Sequence, residues 1–180
     1  MRIRGGPELS RRPLRSEVLK EETWRLEDLF ESDDQWAAAL KALDAGIPAV
    51  AQYMGRLKDG PRQMVECFEA AENLMRKAAP VGLYAHLRLA EDGTNPANQA
   101  MAGRVAAMYA KIGAALSFLQ PEVLSLPDGT VERYLEEEPR LQPFKRRLEL
   151  VLADKPYVLT FETEAALAML GGDTVSYKQL

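Results

Sequence analysis

At 180 residues, with 47% hydrophobic and 28% charged side chains, the chain has the make-up of a soluble, folded protein of about one domain, on the rough rule of ~150 residues per domain. A single cysteine, Cys67, excludes an intrachain disulfide and suits the cytoplasm, and a single histidine, His86, excludes a His-Glu-x-x-His zinc site drawn from this chain alone. The net charge of −4 is uneven: residues 1–20 carry Arg2, Arg4, Arg11, Arg12, Arg15 and Lys20 against Glu8 and Glu17, so a basic arm precedes an acidic body.

That acidic body lacks the clustered Lys and Arg of a nucleic-acid face. No apolar run reaches the ~18 residues of a membrane span, since Ala100–Leu119 is interrupted by Arg104 and Lys111. Neither nucleic acid nor a membrane is therefore an expected partner. Neither G-x-G-x-x-G nor Gly-Lys-Ser/Thr occurs, which removes the common routes to nucleotide binding. The arm, residues 1–20, contains Gly5-Gly6-Pro7 and Arg12-Pro13 and lacks the apolar stretch of a secretory signal, so it reads as a solvated arm, with residues 21–180 as the folded domain.

In chain order, Trp24, Leu26, Leu29 and Phe30 form an aromatic-rich lead whose side chains are expected to pack against something larger. Ser32 is a good N-cap, with Gln35 completing a capping box and Asp33 and Asp34 favouring the helix dipole. From there Trp36, Leu40, Leu43, Ile47, Val50, Met54 and Leu57 recur at spacings of three and four, which predicts one long helix kinked at Ile47 by Gly46 and Pro48. A second helix begins at Pro61, carries Met64, Phe68, Ala71 and Met75 on one face, and is expected to pause near Pro80 before resuming through Val81, Tyr84 and Leu87. The turn residues from Glu91 to Pro96 stop it.

Met101, Val105, Met108, Ile112, Ala115 and Leu119 then mark a helix ending before Pro121. Val131, Tyr134 and Leu135 mark a short one closed by Pro139, and Leu141, Phe144, Leu148 and Leu152 another, closed by Lys155-Pro156. Residues 157–161 read as extended, before a last helix with Leu167 and Leu170 that is capped by Thr160 or Thr163 and ends at Gly171-Gly172. The expected fold class is all-α, an antiparallel helical bundle of about six or seven helices.

No residue stands out as catalytic, cofactor-binding or metal-ligating. Met54, Met64, Met75, Met101 and Met108 fall on apolar stripes and read as core. His86 reads as structural, and a hydrolase dyad of His86 with Cys67 has no supporting pattern. Glu136, Glu137 and Glu138 read as a solvated helix end, and Lys145-Arg146-Arg147 as a polar face.

The order Arg15-Ser16-Glu17-Val18, Thr23-Trp24-x-Leu26-x-Asp28-Leu29-Phe30 and Asp34-x-Trp36 resembles the amino-terminal region of oligoendopeptidase F and related zinc oligopeptidases. Tyr84-Ala85-x-Leu87, Asp92-Gly93-Thr94-Asn95, Ser117-Phe118-x-x-Pro121-Glu122-Val123-Leu124, Tyr134-Leu135, Pro139-x-Leu141 and Lys155-Pro156-Tyr157-Val158-Leu159-Thr160 continue it in the same order, although the family more often has histidine and serine at Tyr157 and Thr160. The resemblance implies a non-catalytic amino-terminal domain, with no cofactor in this chain and zinc in the parent enzyme. It further implies a carboxy-terminal catalytic domain and short peptides as partners, a helical wall over the substrate cleft, and a possible homodimer. The alternative is a stand-alone helical module that binds peptides or proteins.

Overall fold

The computed structural model describes residues 17–157. The arm up to Ser16, residues 158–161 of the extended stretch, and the expected last helix with Leu167 and Leu170, its caps at Thr160 or Thr163 and its end at Gly171-Gly172 lie outside the described residues. Within the described residues the secondary structure is helical with no strand, an all-α fold with six α-helices joined by turns and 3-10 segments.

Ser32 is extended, and its hydroxyl accepts from the Gln35 backbone N–H at 3.3 Å to open α1, Asp33–Gly46. The Gln35 side chain closes the cap one residue earlier than a capping box would, accepting from the Glu31 N–H at 3.2 Å. Trp36, Leu40 and Leu43 form the buried stripe. The expected long kinked helix is corrected here: α1 stops at Gly46 and the chain tightens into a 3-10 segment, Ile47–Tyr53. Pro48 has no N–H to donate back to the Asp44 carbonyl, and glycine before it favours leaving the helix. The tighter winding keeps Ile47 and Val50 buried and carries Met54 out to solvent, 55% exposed. Leu57 is buried from a separate 3-10 turn, Leu57–Asp59.

Pro61 occupies the first turn of α2, Pro61–Glu91. The expected pause at Pro80 is also corrected, because α2 runs through it. Pro80 cannot donate to the Arg76 carbonyl, but side chains of the neighbouring helices donate to α2 carbonyls on either side. The Trp36 indole N–H donates to the Val81 carbonyl at 2.9 Å, and the Tyr109 hydroxyl to the Ala78 carbonyl at 3.5 Å. Asn95 caps α3, Pro96–Leu116, by accepting from the Ala97 N–H at 2.8 Å.

Leu119 does not end α3 as its spacing suggests. It opens a separate helix, α4, Leu119–Ser125, whose Pro121 lies in the first turn, where its missing N–H has no partner to lose. Gly129, in the left-handed region at φ +77°, leads into α5, Thr130–Glu137. The expected helix from Leu141 to Leu152 splits at Pro143 into a 3-10 segment, Pro139–Phe144, and α6, Lys145–Ala153. Tyr157 lies in a final 3-10 turn, Lys155–Tyr157, rather than in extended chain.

Among the described residues two compact units result: residues 17–52 with Glu69–Ser117, and Tyr53–Phe68 with residues 118–157. In the first, Asp33 meets Tyr84 and Trp36 meets Val81, so α1 and α2 run antiparallel. Asn98 donates to the Arg88 carbonyl and Tyr109 to that of Ala78, so α3 is antiparallel to α2 in turn. The core between them holds Trp36, Leu40, Leu74, Val81, Val105, Met108 and Ile112. In the second, Leu57, Met64, Val65, Phe68, Val123, Leu141 and Leu148 are buried together with Cys67. Met64, Met101 and Met108 are core as expected, whereas Met54 and Met75 are exposed.

Candidate functional site

The residues that carry the family resemblance fasten the fold. In the first unit Phe30 meets Tyr84 edge to face, with ring centres 5.5 Å apart, and the Tyr84 hydroxyl donates to Asp33 Oδ1 at 2.8 Å. Arg88 reaches Asp33 Oδ2 at 3.4 Å and Glu91 at 3.2 Å. Burial pushes the Tyr84 phenol up to about 12, helped by its bond to the Asp33 carboxylate, so it stays a neutral donor at any physiological pH. Asp92 accepts from both the backbone N–H and the hydroxyl of Thr94, at 2.9 and 2.6 Å, which fixes the turn between α2 and α3 and holds the Asp92 carboxyl below its ordinary range.

The second unit repeats the pattern. Glu122 accepts from the backbone N–H groups of Gly55 and Leu57, pinning the turn at Gly55, whose φ of +79° suits glycine. The Tyr134 hydroxyl donates to the Lys58 carbonyl at 3.1 Å, and Lys155 donates to the Leu126 carbonyl at 2.9 Å and to Asp128 at 2.5 Å.

The side chains weighed for chemistry stay apart. Cys67 is fully buried, and burial, with the Glu122 charge adding, pushes its thiol up to about 12, which removes the nucleophilic thiolate. His86 is exposed on α2, nineteen positions and more than five turns further on. Glu137 pairs with Arg133 at 3.5 Å, and hydrogen bonds from Arg140 hold Glu138 below the usual carboxylate range. Lys145 and Arg146 lie within 4.0 and 3.7 Å of Glu149, and Arg147 stacks over Phe68 at 5.4 Å. Among the described residues no group of three or more His, Cys, Asp and Glu is placed to hold a metal ion, so these residues do not fit a zinc centre.

Two of the concave surfaces of the first unit flank the α1–α2 pair. One is an apolar groove of about 600 Å³ between α1, its 3-10 extension and α2, lined by small residues such as Ala39, Ala42, Gly46 and Ala70, with Leu43 and Leu74 at its base. The other is a polar pocket of about 440 Å³ beside the Asp33–Tyr84–Arg88 cluster, with Trp24 and Phe30 on its wall. Of the aromatic lead expected to pack, Leu26 is buried and Phe30 meets Tyr84, but Trp24 is 76% exposed. The acidic character of its pocket was not legible, because Asp33 and Glu91 come together only when α1 and α2 pair.

The family model for oligopeptidase F matches residues 122–179. Oligopeptidase PepF of Bacillus subtilis is 31% identical over 87% of this chain, and group B oligopeptidase PepB of Streptococcus agalactiae 30% identical over 86%. The matches span only 23% and 26% of those proteins, so the chain covers about a quarter of their length. The crystal structure of oligoendopeptidase-F from Enterococcus faecium superposes with a TM-score of 0.64 at 27% identity, over 76% of this chain and 27% of that one. A solved structure from Chlamydophila abortus, at 22% identity, shares the fold with a TM-score of 0.76 over 87% of this chain and 27% of its own. The chain belongs to the oligoendopeptidase F family and corresponds to the amino-terminal part of its larger members.

Proposed function

We propose that this chain is the non-catalytic amino-terminal domain of a zinc oligopeptidase, forming one wall of a cleft that admits short peptides and excludes folded proteins. The observation that carries this reading is coverage: 87% of the chain matches a PepF relative of which it spans only 23%. Metal-assisted peptide hydrolysis needs metal ligands and a base that polarise and attack the carbonyl, and these belong to a carboxy-terminal partner domain. The role of the present residues is to hold a rigid helical surface, which the fastened motifs of both units supply. Cytoplasmic residence fits a lone buried thiol.

Purified residues 1–180 are expected to retain no stoichiometric zinc and to cleave no fluorogenic peptide. The same reading frame extended past Leu180 is expected to encode His-Glu-x-x-His, and its product to hydrolyse short peptides and lose that activity to a chelator. Chelator-sensitive cleavage by the 180-residue chain, abolished by His86→Ala, would overturn the assignment.

The apolar groove of the first unit favours a second reading, a stand-alone module that binds an apolar peptide or partner. A frame that terminates at Leu180 would promote it. Exposed Trp24, Leu83 and Leu150 suit self-association in either case, and a light-scattering mass of one chain at high concentration, with no binding of a hydrophobic dye, would count against a homodimer.

A further inference from the structure

The polar pocket beside Asp33 has an unusual lining for a structural crevice. Four carboxylates, Glu27, Glu31, Asp33 and Glu91, face it against one guanidinium, Arg88, and two aromatic rings, Trp24 and Phe30, stand among them. Trp24 is 76% exposed, the most exposed of the large apolar side chains in the described chain. Carboxylates beside an open indole face are the chemistry that receives guanidinium groups, which bond in the plane of the fork and stack through its face.

The same chain carries a segment of matching chemistry. Residues 1–16 hold Arg2, Arg4, Arg11, Arg12 and Arg15 against Glu8 alone, while the rest of the chain is acidic. This segment joins the described residues at Glu17, seven positions before Trp24. Sixteen residues can extend over roughly 50 Å, so reach does not limit them, and so short a tether holds the arginines near the pocket at an effective concentration in the millimolar range. Contacts too weak to hold a free peptide are then largely occupied.

We propose that the basic arm, residues 1–16, docks in its own chain on the acidic, Trp24-bearing pocket of the first unit. The inference stands independently of the peptidase reading, and its test involves no catalysis.

Trp24 and Trp36 are the only tryptophans, and Trp36 is 1% exposed, so collisional quenching by neutral acrylamide reports on Trp24. The full chain at low salt is expected to show a quenching slope roughly twofold below that of a chain lacking residues 1–16, and the two are expected to converge at about 0.5 M salt as the charges are screened. Glu27→Gln with Glu31→Gln, both at exposed positions, is expected to raise the full-length slope to the truncated value. Arg11→Ser, Arg12→Ser and Arg15→Ser together are expected to do the same without touching a described residue. A synthetic 1–16 peptide added to the truncated chain is expected to restore shielding only at millimolar concentration. Far-UV circular dichroism at 222 nm confirms that each variant is folded. Equal slopes with and without the arm would overturn the proposal, as would shielding that salt and the charge variants leave unchanged. Shielding lost on dilution would also overturn it, because the arm would then be docking on a second copy.

Discussion

Trp36 is buried with its indole N–H on the Val81 carbonyl at 2.9 Å, and the Arg104 guanidinium lies 4.9 Å from its ring centre. Trp36→Phe removes the donor and leaves a gap, so a loss of about 1–3 kcal/mol is expected in urea unfolding. Tyr84 and Cys67 set the alkaline behaviour. Burial raises both, from 10.0 and 9.0 to about 12, so the fold favours their neutral forms. That contribution is complete below the unfolded values, begins to fade near pH 9 for the thiol and pH 10 for the phenol, and is lost as pH rises through about 12. Stability measured from pH 8 to 12 should fall accordingly, and Tyr84→Phe should flatten the part of the fall above pH 10. The native thiol should resist alkylation at pH 8 and react once the chain is unfolded; rapid reaction of the folded protein would revive Cys67 as a nucleophile.

Helix junctions give the next tests. A Cβ at Gly82 would stand 2.5 Å from the Tyr109 hydroxyl, so this glycine lets α3 place a ring against α2. Gly82→Ala alone must displace that ring, whereas in a Tyr109→Ala background it should deliver the full helix-propensity gain of about 1 kcal/mol. The difference between the two backgrounds, read by urea unfolding, measures the contact, and equal effects would show that Tyr109 does not press on Gly82. Gly129 enters α5 at φ +77°, and Gly129→Ala should cost about 1 kcal/mol through strain alone, since nothing lies within 4 Å of the added Cβ. Pro80 lies inside α2, where its missing N–H leaves the Arg76 carbonyl without its helical donor, and the Ala78 and Val81 carbonyls on either side of it accept from Tyr109 and Trp36.

Across the whole molecule, far-UV circular dichroism should be dominated by helix, and strand content above about a fifth would contradict the fold. Much of that fold was legible along the chain. Ser32 announced its cap, Pro61 its first turn, and the spacing from Met101 to Ile112 its buried face, whereas Asn95 and Pro96, read only as turn residues, prove to cap and open α3. These signals are local, because a helix closes its hydrogen bonds four residues apart and a cap acts within three. The junctions were not legible in the same way: Met54 followed the stripe yet is exposed, and Leu119 belongs to α4 rather than α3. Periodicity assumes constant winding, and a 3-10 segment or a new helix resets it.

The all-α class, the Ser32 cap, the exclusion of an intrachain disulfide and of a two-histidine metal site within these 180 residues, and the family, through the order of its motifs, can all be read along the chain. That Pro80 leaves α2 unbroken, that the motif residues act as fasteners, and that the carboxylates of Asp33 and Glu91 share one pocket with Trp24 emerges from how the helices pack. What separates the two sets is sequence distance. The bonds concerned span 45 residues from Trp36 to Val81 and 51 from Asp33 to Tyr84, and whether a distant donor reaches a given carbonyl depends on how helices pair, which local spacing does not encode.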